Sequence, residues 1–149
     1  MNDDELIAGV RAAFEALDPV PDGVVAAGRS ALGWRLPSAR LAGLASDRAG
    51  RVADGVRGGA GRALTFARGG LTVEVEVAGT GREREITGRL VPPSPVIVEV
   101  RHAEVAAGGA VGRTDGSGFF CLPRVPAGLV SLVLRFEGGT PVVTSWVRL

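Results

Sequence analysis

Apolar and polar residues alternate with a period of two along much of the chain after Arg62, and short segments with Gly or Pro interrupt the alternation. In the clearest example, residues 71–77, Leu or Val at the odd positions alternates with Thr or Glu at the even positions. Successive side chains of a β-strand point to opposite faces, so this spacing predicts strands with one buried face. A chain with this pattern has few options other than a layered β-fold.

The alternation predicts eight strands in the second half of the chain. These cover residues 63–67, 71–77, 82–91, 95–101, 104–113, 119–125, 130–136 and 141–149. Many short strands separated by turn residues are typical of a β-sandwich. We therefore expect a mainly β protein, an Ig-like or prealbumin-like sandwich of about seven to eight strands, preceded by a two-helix hairpin.

The residues between Ile86 and Phe136 carry a resemblance to a known family. A strand with Gly88 and Leu90, a Thr-Asp-x-x-Gly-x-Phe turn from Thr114, and a Val-Pro-x-Gly segment ending at Gly128 are similar to the carboxypeptidase regulatory-like (transthyretin-like) β-sandwich. The resemblance implies that fold and a non-catalytic accessory role. The chain departs from the family pattern at Val130, where an aromatic residue is usual.

Two helices are predicted before the strands. Asn2 or Asp3 can cap a first helix over residues 3–17. Pro19 or Pro21 can open a second helix that runs to about Gly33. Residues 38–47 fit either a short helix or an edge strand. The segment at 49–61 is rich in Gly, Arg and Asp without a sustained period. We therefore divide the chain into a helical segment (1–45), a linker or mobile loop (46–61) and a sandwich domain (62–149).

Composition and charge disfavour several functional classes. The formal net charge is +1, which gives no electrostatic basis for binding nucleic acid. Cys121 is the only cysteine, so neither an internal disulfide nor a cysteine metal site is expected. No apolar run approaches the ~20 residues of a membrane span. The acidic N-terminal residues do not resemble a signal peptide, and we expect a cytoplasmic location.

No residue pattern indicates catalysis. His102 is the only histidine and no motif places a nucleophile near it, so we interpret it as a surface residue at a strand end. Asp115 lies in Asp-Gly-Ser-Gly, which matches the start of a calcium loop but lacks its later ligands. Turn formation explains Asp115 better. We predict no enzyme, no cofactor and no metal site.

A protein partner is the remaining prediction. If the core-facing residues of two neighbouring strands are Phe120, Leu122, Val130, Leu132 and Leu134, then Phe119, Cys121, Leu129 and Val133 face outward. Either the helices or a partner would cover them. Trp34 either wedges the helical hairpin against the sheet or anchors a partner. The predicted partner-binding residues are Phe14, Leu17, Trp34, Arg35, Phe119, Leu129 and Val133.

The chain as a whole resembles small actinobacterial proteins encoded beside sigma-70-type sigma factors, often together with caspase-like (CHAT) proteins. The segments that carry this resemblance include Ala31-Leu-Gly-Trp-Arg35, Leu71-Thr-Val-Glu-Val-Glu76 and Val143-Thr-Ser-Trp-Val-Arg148. The resemblance implies a regulatory module that binds a sigma factor in an anti-sigma-like manner. The alternatives are a structural accessory subunit, or a substrate of a CHAT protease that is cleaved between residues 49 and 61.

Overall fold

The computed structural model describes residues 2–49, 61–105 and 109–149. The chain divides into two compact units, the first ending at Pro37 and the second beginning at Ser38. The first is helical and the second is built from strands, so the protein is mainly β with an N-terminal helical segment.

The helical unit contains α1 (Asp3–Leu17) and α2 (Asp22–Gly33), close to the predicted bounds. A capping box starts α1: the Glu5 N–H donates to Asn2 Oδ1 at 2.8 Å, and the Asn2 N–H donates to Glu5 Oε2 at 3.1 Å. These bonds satisfy backbone donors that a helix N-terminus leaves free. No side chain caps α2, which begins after Pro21.

The β unit has ten strands among its described residues. They are β1 (Arg40–Ala49), β2 (Arg62–Arg68), β3 (Leu71–Ala78), β4 (Glu83–Val91), β5 (Val96–His102), β6 (Val111–Arg113), β7 (Phe119–Pro126), β8 (Leu129–Phe136), β9 (Val142–Thr144) and β10 (Val147–Arg148). The hydrogen-bonded order is β6-β5-β8-β9-β1-β2-β3-β4-β7, and β10 also pairs with β8. Nine of the described strands therefore form one continuous path, and β10 is attached to it at β8.

Strand β1 joins the two halves of this path. Its first residues, 40–42, pair in parallel with β9, and residues 43–49 pair antiparallel with β2. The segment that the sequence left open between helix and strand is thus a strand. The β unit begins at Ser38 rather than at the predicted residue 62, and residues 46–49 of the predicted linker belong to β1. Residues 50–60 of that linker lie outside the described residues.

The last predicted strand, 141–149, is divided in two. Strand β9 pairs with β1 and β8, and β10 pairs with a different part of β8. At the break, Thr144 Oγ1 accepts a hydrogen bond from the Leu132 N–H at 2.9 Å, and Ser131 Oγ donates to the Thr144 carbonyl at 2.9 Å.

The predicted strand 104–113 is regular only at its end, in β6, and residues 106–108 are not described.

Alternate positions of the strands form a shared core. The largest fully buried side chains include Phe66, Phe120, Leu64, Ile86, Leu90, Leu122 and Leu134. In β8 the predicted core residues Val130, Leu132 and Leu134 are all buried in this cluster. Gly88 on β4 lies opposite Phe120 on β7, and the Phe120 ring occupies the space that a side chain at Gly88 would take.

Candidate functional site

The apolar stripe of α1 is exposed along its whole length. Its members are Leu6, Ile7, Val10, Phe14 and Leu17, whose exposed fractions range from 49% to 87%. The residues recur at the spacing of one helix face, and no residue of α1 is buried. Phe14 and Leu17, both predicted to bind a partner, lie at the C-terminal end of this stripe.

Helix α2 adds further exposed apolar side chains, Val24, Val25 and Leu32. Trp34 follows the helix as its C-cap and is half-buried, and Arg35 is exposed. The helical unit therefore presents large apolar groups on both of its helices. We call this set, from Leu6 to Leu17 on α1 and from Val24 to Leu32 on α2, the helical apolar surface.

The helical apolar surface lies in an acidic part of the sequence. Residues 2–22 carry six carboxylates and one arginine, a formal charge of −5, so the rest of the chain carries +6. Asp3, Asp4 and Glu5 occupy the first turn of α1, where the helix dipole favours negative charge. No basic residue occupies its last turn. Apolar and anionic groups are therefore combined on this helix.

The predicted partner surface on the β unit is not formed. Strand β7 pairs with β4, and β8 pairs with β5, β9 and β10, so the two strands are not neighbours. Phe119 is 45% exposed on β7, and Leu129 is half-buried on β8. The prediction treated strands that are consecutive in sequence as adjacent, but the β7–β8 connection passes from one half of the path to the other.

The prediction that Val133 is available to a partner is wrong, because its side chain is only 1% exposed. Val133 is outside the core cluster, so it lies on the other face of β8. In register it stands between Glu99 on β5 and Val143 on β9. A valine in the middle of a sheet is enclosed by the side chains that lie opposite it on the two neighbouring strands. Glu99 is held there by an ion pair with Arg135 at 3.0 Å.

His102 is buried, at 6% exposure, and not on the surface as predicted. The Glu104 N–H points to Nδ1 at 3.1 Å, and Nε2 lies 3.1 Å from the Ala127 carbonyl oxygen. Since Nδ1 accepts a hydrogen bond, the proton of the neutral ring belongs on Nε2, which donates to Ala127. Both ring nitrogens are occupied by backbone groups, so His102 ties the end of β5 to the β7–β8 turn.

Asp115 organises a turn, as the sequence predicted. Its Oδ1 accepts hydrogen bonds from the Ser117 N–H at 2.8 Å, the Ser117 hydroxyl at 2.7 Å and the Phe119 N–H at 3.0 Å. The Ser117 hydroxyl makes the largest contribution to lowering the pKa of the Asp115 carboxyl below 3.8, followed by the two backbone donors. Three donors converging on one oxygen explain the Asp-x-Ser-x-Phe pattern without a metal ion.

We predict that Asp115→Asn changes how stability depends on pH. The folded-state pKa of Asp115 is lowered, so its stabilising effect is present above pH 3.8 and is lost as pH falls through the folded-state value. The free energies of unfolding of wild type and variant should therefore differ at neutral pH and converge in acid. Urea titrations at a series of pH values measure this difference. Parallel curves across the whole series would contradict the assignment.

Among residues 2–49, 61–105 and 109–149, no three His, Cys, Asp or Glu side chains are grouped so that they could hold a metal ion. No helix in that part is long and apolar enough to cross a membrane. Arg101 stacks on Trp146, 5.3 Å from the ring centroid, and burial lowers the pKa of its guanidinium.

Comparisons with protein-family models, with curated proteins and with solved structures find no match to this chain. The two family resemblances therefore stay predictions. The protease-substrate hypothesis concerns a segment of which residues 50–60 lie outside the described part. The helical apolar surface is the feature on which a function can be based.

Proposed function

We propose that this chain is a non-catalytic protein-binding module that uses its N-terminal helices to occupy a groove on a regulatory partner. The observation that carries the proposal is the exposure of every large apolar side chain of α1. Exposed apolar patches of this kind commonly mark interaction sites. An amphipathic helix placed in an apolar groove is a recurrent mode of protein recognition.

The energetics favour burial of the stripe on binding. Fully burying one Val, Leu, Ile or Phe side chain contributes about 1.5–3 kcal/mol. An isolated helix of about 15 residues is only marginally stable in water. The 15 residues of α1 bury none of their side chains in the described structure. A partner that covers the five residues of the stripe would therefore stabilise the helix as well as the complex.

The charge of the helix specifies the partner's surface. A groove that accepts α1 should be apolar at its centre and basic at its rim, because the helix carries Asp3, Asp4 and Glu5 in its first turn. The resemblance to proteins encoded beside sigma factors implies that the partner is a sigma factor. The mechanism would then be occlusion, in which α1 covers a surface that the sigma factor needs. The protein would act in the cytoplasm.

For the β unit we propose a scaffold role, with the two-layer arrangement of the carboxypeptidase regulatory-like sandwich. Two observations support this. The strands β2, β3, β4 and β7 in one half of the path share a core with β5 and β8 in the other half. The Asp115 turn matches the Thr-Asp-x-x-Gly-x-Phe motif of that family. A rigid scaffold would present the helices without contributing chemistry.

A binding measurement tests the proposal. We expect Phe14→Asp to weaken the affinity for the neighbouring sigma factor by about 30-fold or more, because a buried aromatic anchor typically contributes at least 2 kcal/mol. Ala12→Asp is the matched control: it adds the same charge to α1 on another face. Isothermal titration calorimetry measures both affinities, and circular dichroism checks that the helix forms. Wild-type protein that does not bind, or equal loss in both variants, would contradict the proposal.

A further inference from the structure

Three chain segments meet at an open cleft of about 770 Å³ at one end of the β unit. They are the start of β1, the turn between β2 and β3, and the connection between β8 and β9. The cleft is lined by two basic side chains and several apolar ones, among them Arg40, Arg68, Leu71, Phe136, Thr140 and Val142. This volume lies within the range of small-molecule sites, about 300–1,000 Å³.

The cleft carries positive charge from two arginines. Arg40 makes no side-chain hydrogen bond or ion pair with the described residues, and Arg68 makes one, to the Leu41 carbonyl oxygen at 3.1 Å. A guanidinium has five N–H donors, so most of the donors of both arginines remain available. No Asp or Glu of the described chain lines the cleft. Arg40 and Arg68 both line this cleft, and an anion bound there would be attracted to both guanidiniums.

Apart from Thr140 and three glycines, the remaining lining is apolar. Leu71 begins β3, Phe136 ends β8, and Val142 begins β9 beside Arg40 in register. A fully hydrated anion such as inorganic phosphate would make no apolar contacts with these side chains. A carboxylate attached to an apolar group would use both parts, since Arg and carboxylate form paired, charge-assisted hydrogen bonds.

We propose that this cleft binds an apolar carboxylate, that is, a carboxylate group carried next to an apolar group. Its source is either a peptide segment with an acidic residue beside apolar ones or a free acid with an aliphatic tail. This site is separate from the proposed function, because every residue in it belongs to the β unit.

The test uses four probes with the full-length protein: a capped Asp-Leu-Asp-Leu-Phe peptide, the same peptide with Asn for Asp, decanoate, and inorganic phosphate. Chemical-shift changes and calorimetry measure binding. We expect the acidic peptide or decanoate to bind, and the Asn peptide and phosphate to bind at least about tenfold more weakly, since one charge-assisted bond corresponds to about that factor. Binding of the acidic peptide identifies a peptide segment as the source, and binding of decanoate identifies a free acid.

Variants assign the binding to the cleft. Arg40→Gln should weaken the probe's affinity about tenfold and leave thermal stability unchanged, because Arg40 has no partner to lose within the described chain. Arg68→Lys keeps a donor for the Leu41 carbonyl and should have a smaller effect. Arg89→Gln, at an exposed position on β4, is the control for net charge. Failure of both carboxylate probes to bind, equal binding of phosphate, or equal loss in the Arg89 variant would overturn the proposal.

Discussion

Gly88→Ala should destabilise the protein by about 3 kcal/mol, the upper end of what one additional methyl group costs in a filled core. A Cβ atom at this position would overlap the ring edge of Phe120 at Cζ, and would lie 2.7 Å from Cε1 and 2.9 Å from the Glu74 carbonyl oxygen. Phe120 is 1% exposed and packed on all sides, so it has no room to withdraw. The strands would have to separate instead.

Urea denaturation of wild type and variant measures this loss. Gly43→Ala is the matched control, because Gly43 also lies in a strand but a Cβ there meets nothing within 4 Å. The double variant Gly88→Ala with Phe120→Leu should lose less than the sum of the two single changes, since the smaller side chain removes the overlap. If the effects were additive, the ring would not be the obstacle.

Gly128→Ala should cost a similar amount, about 3 kcal/mol, from two sources that add: backbone strain and steric overlap. Gly128 has a φ of +141°, a conformation that alanine rarely adopts. A Cβ there would lie 2.7 Å from His102 Nε2 and 2.8 Å from Cε1. The overlap would push the buried ring away from the Ala127 carbonyl, the acceptor of its hydrogen bond.

Thermal and urea unfolding check this result, with Gly116→Ala as the control. Gly116 also lies in a turn, but its φ is not positive and a Cβ there has open space. Combining Gly128→Ala with His102→Ala removes the overlap and leaves the strain, so the double variant separates the two sources. A Gly128→Ala protein as stable as wild type would show that the ring of His102 is not fixed by this turn.

The two proposals concern different units of the chain and can fail separately. Phe14→Asp addresses the helical unit, and Arg40→Gln addresses the β unit. Stability variants such as Gly88→Ala act on the core of the β unit. Binding data should therefore be compared only among variants whose unfolding transitions match that of the wild type.

Much of the local structure was predictable because its causes are local. The spacing of Leu6, Ile7, Val10 and Phe14 is a helical period, and α1 forms over it. The Asp115 turn follows from a short carboxylate two and four residues before its donors. By contrast, the segment with Leu36, Leu41 and Leu44 has no clear period, and it fitted either a short helix or an edge strand. In the folded protein this segment is a strand, β1, because it pairs with β2 and β9.

Most helices and strands, and the apolar side of most strands, follow from the amino-acid sequence alone, since these depend on neighbours a few residues away. Long-range contacts were needed to separate β7 from β8, to enclose Val133 and to bury His102. They also brought Arg40 and Arg68 to the same cleft. Strand partners are selected by contacts between residues far apart in the chain, and a period of two is the same whichever partner a strand finds.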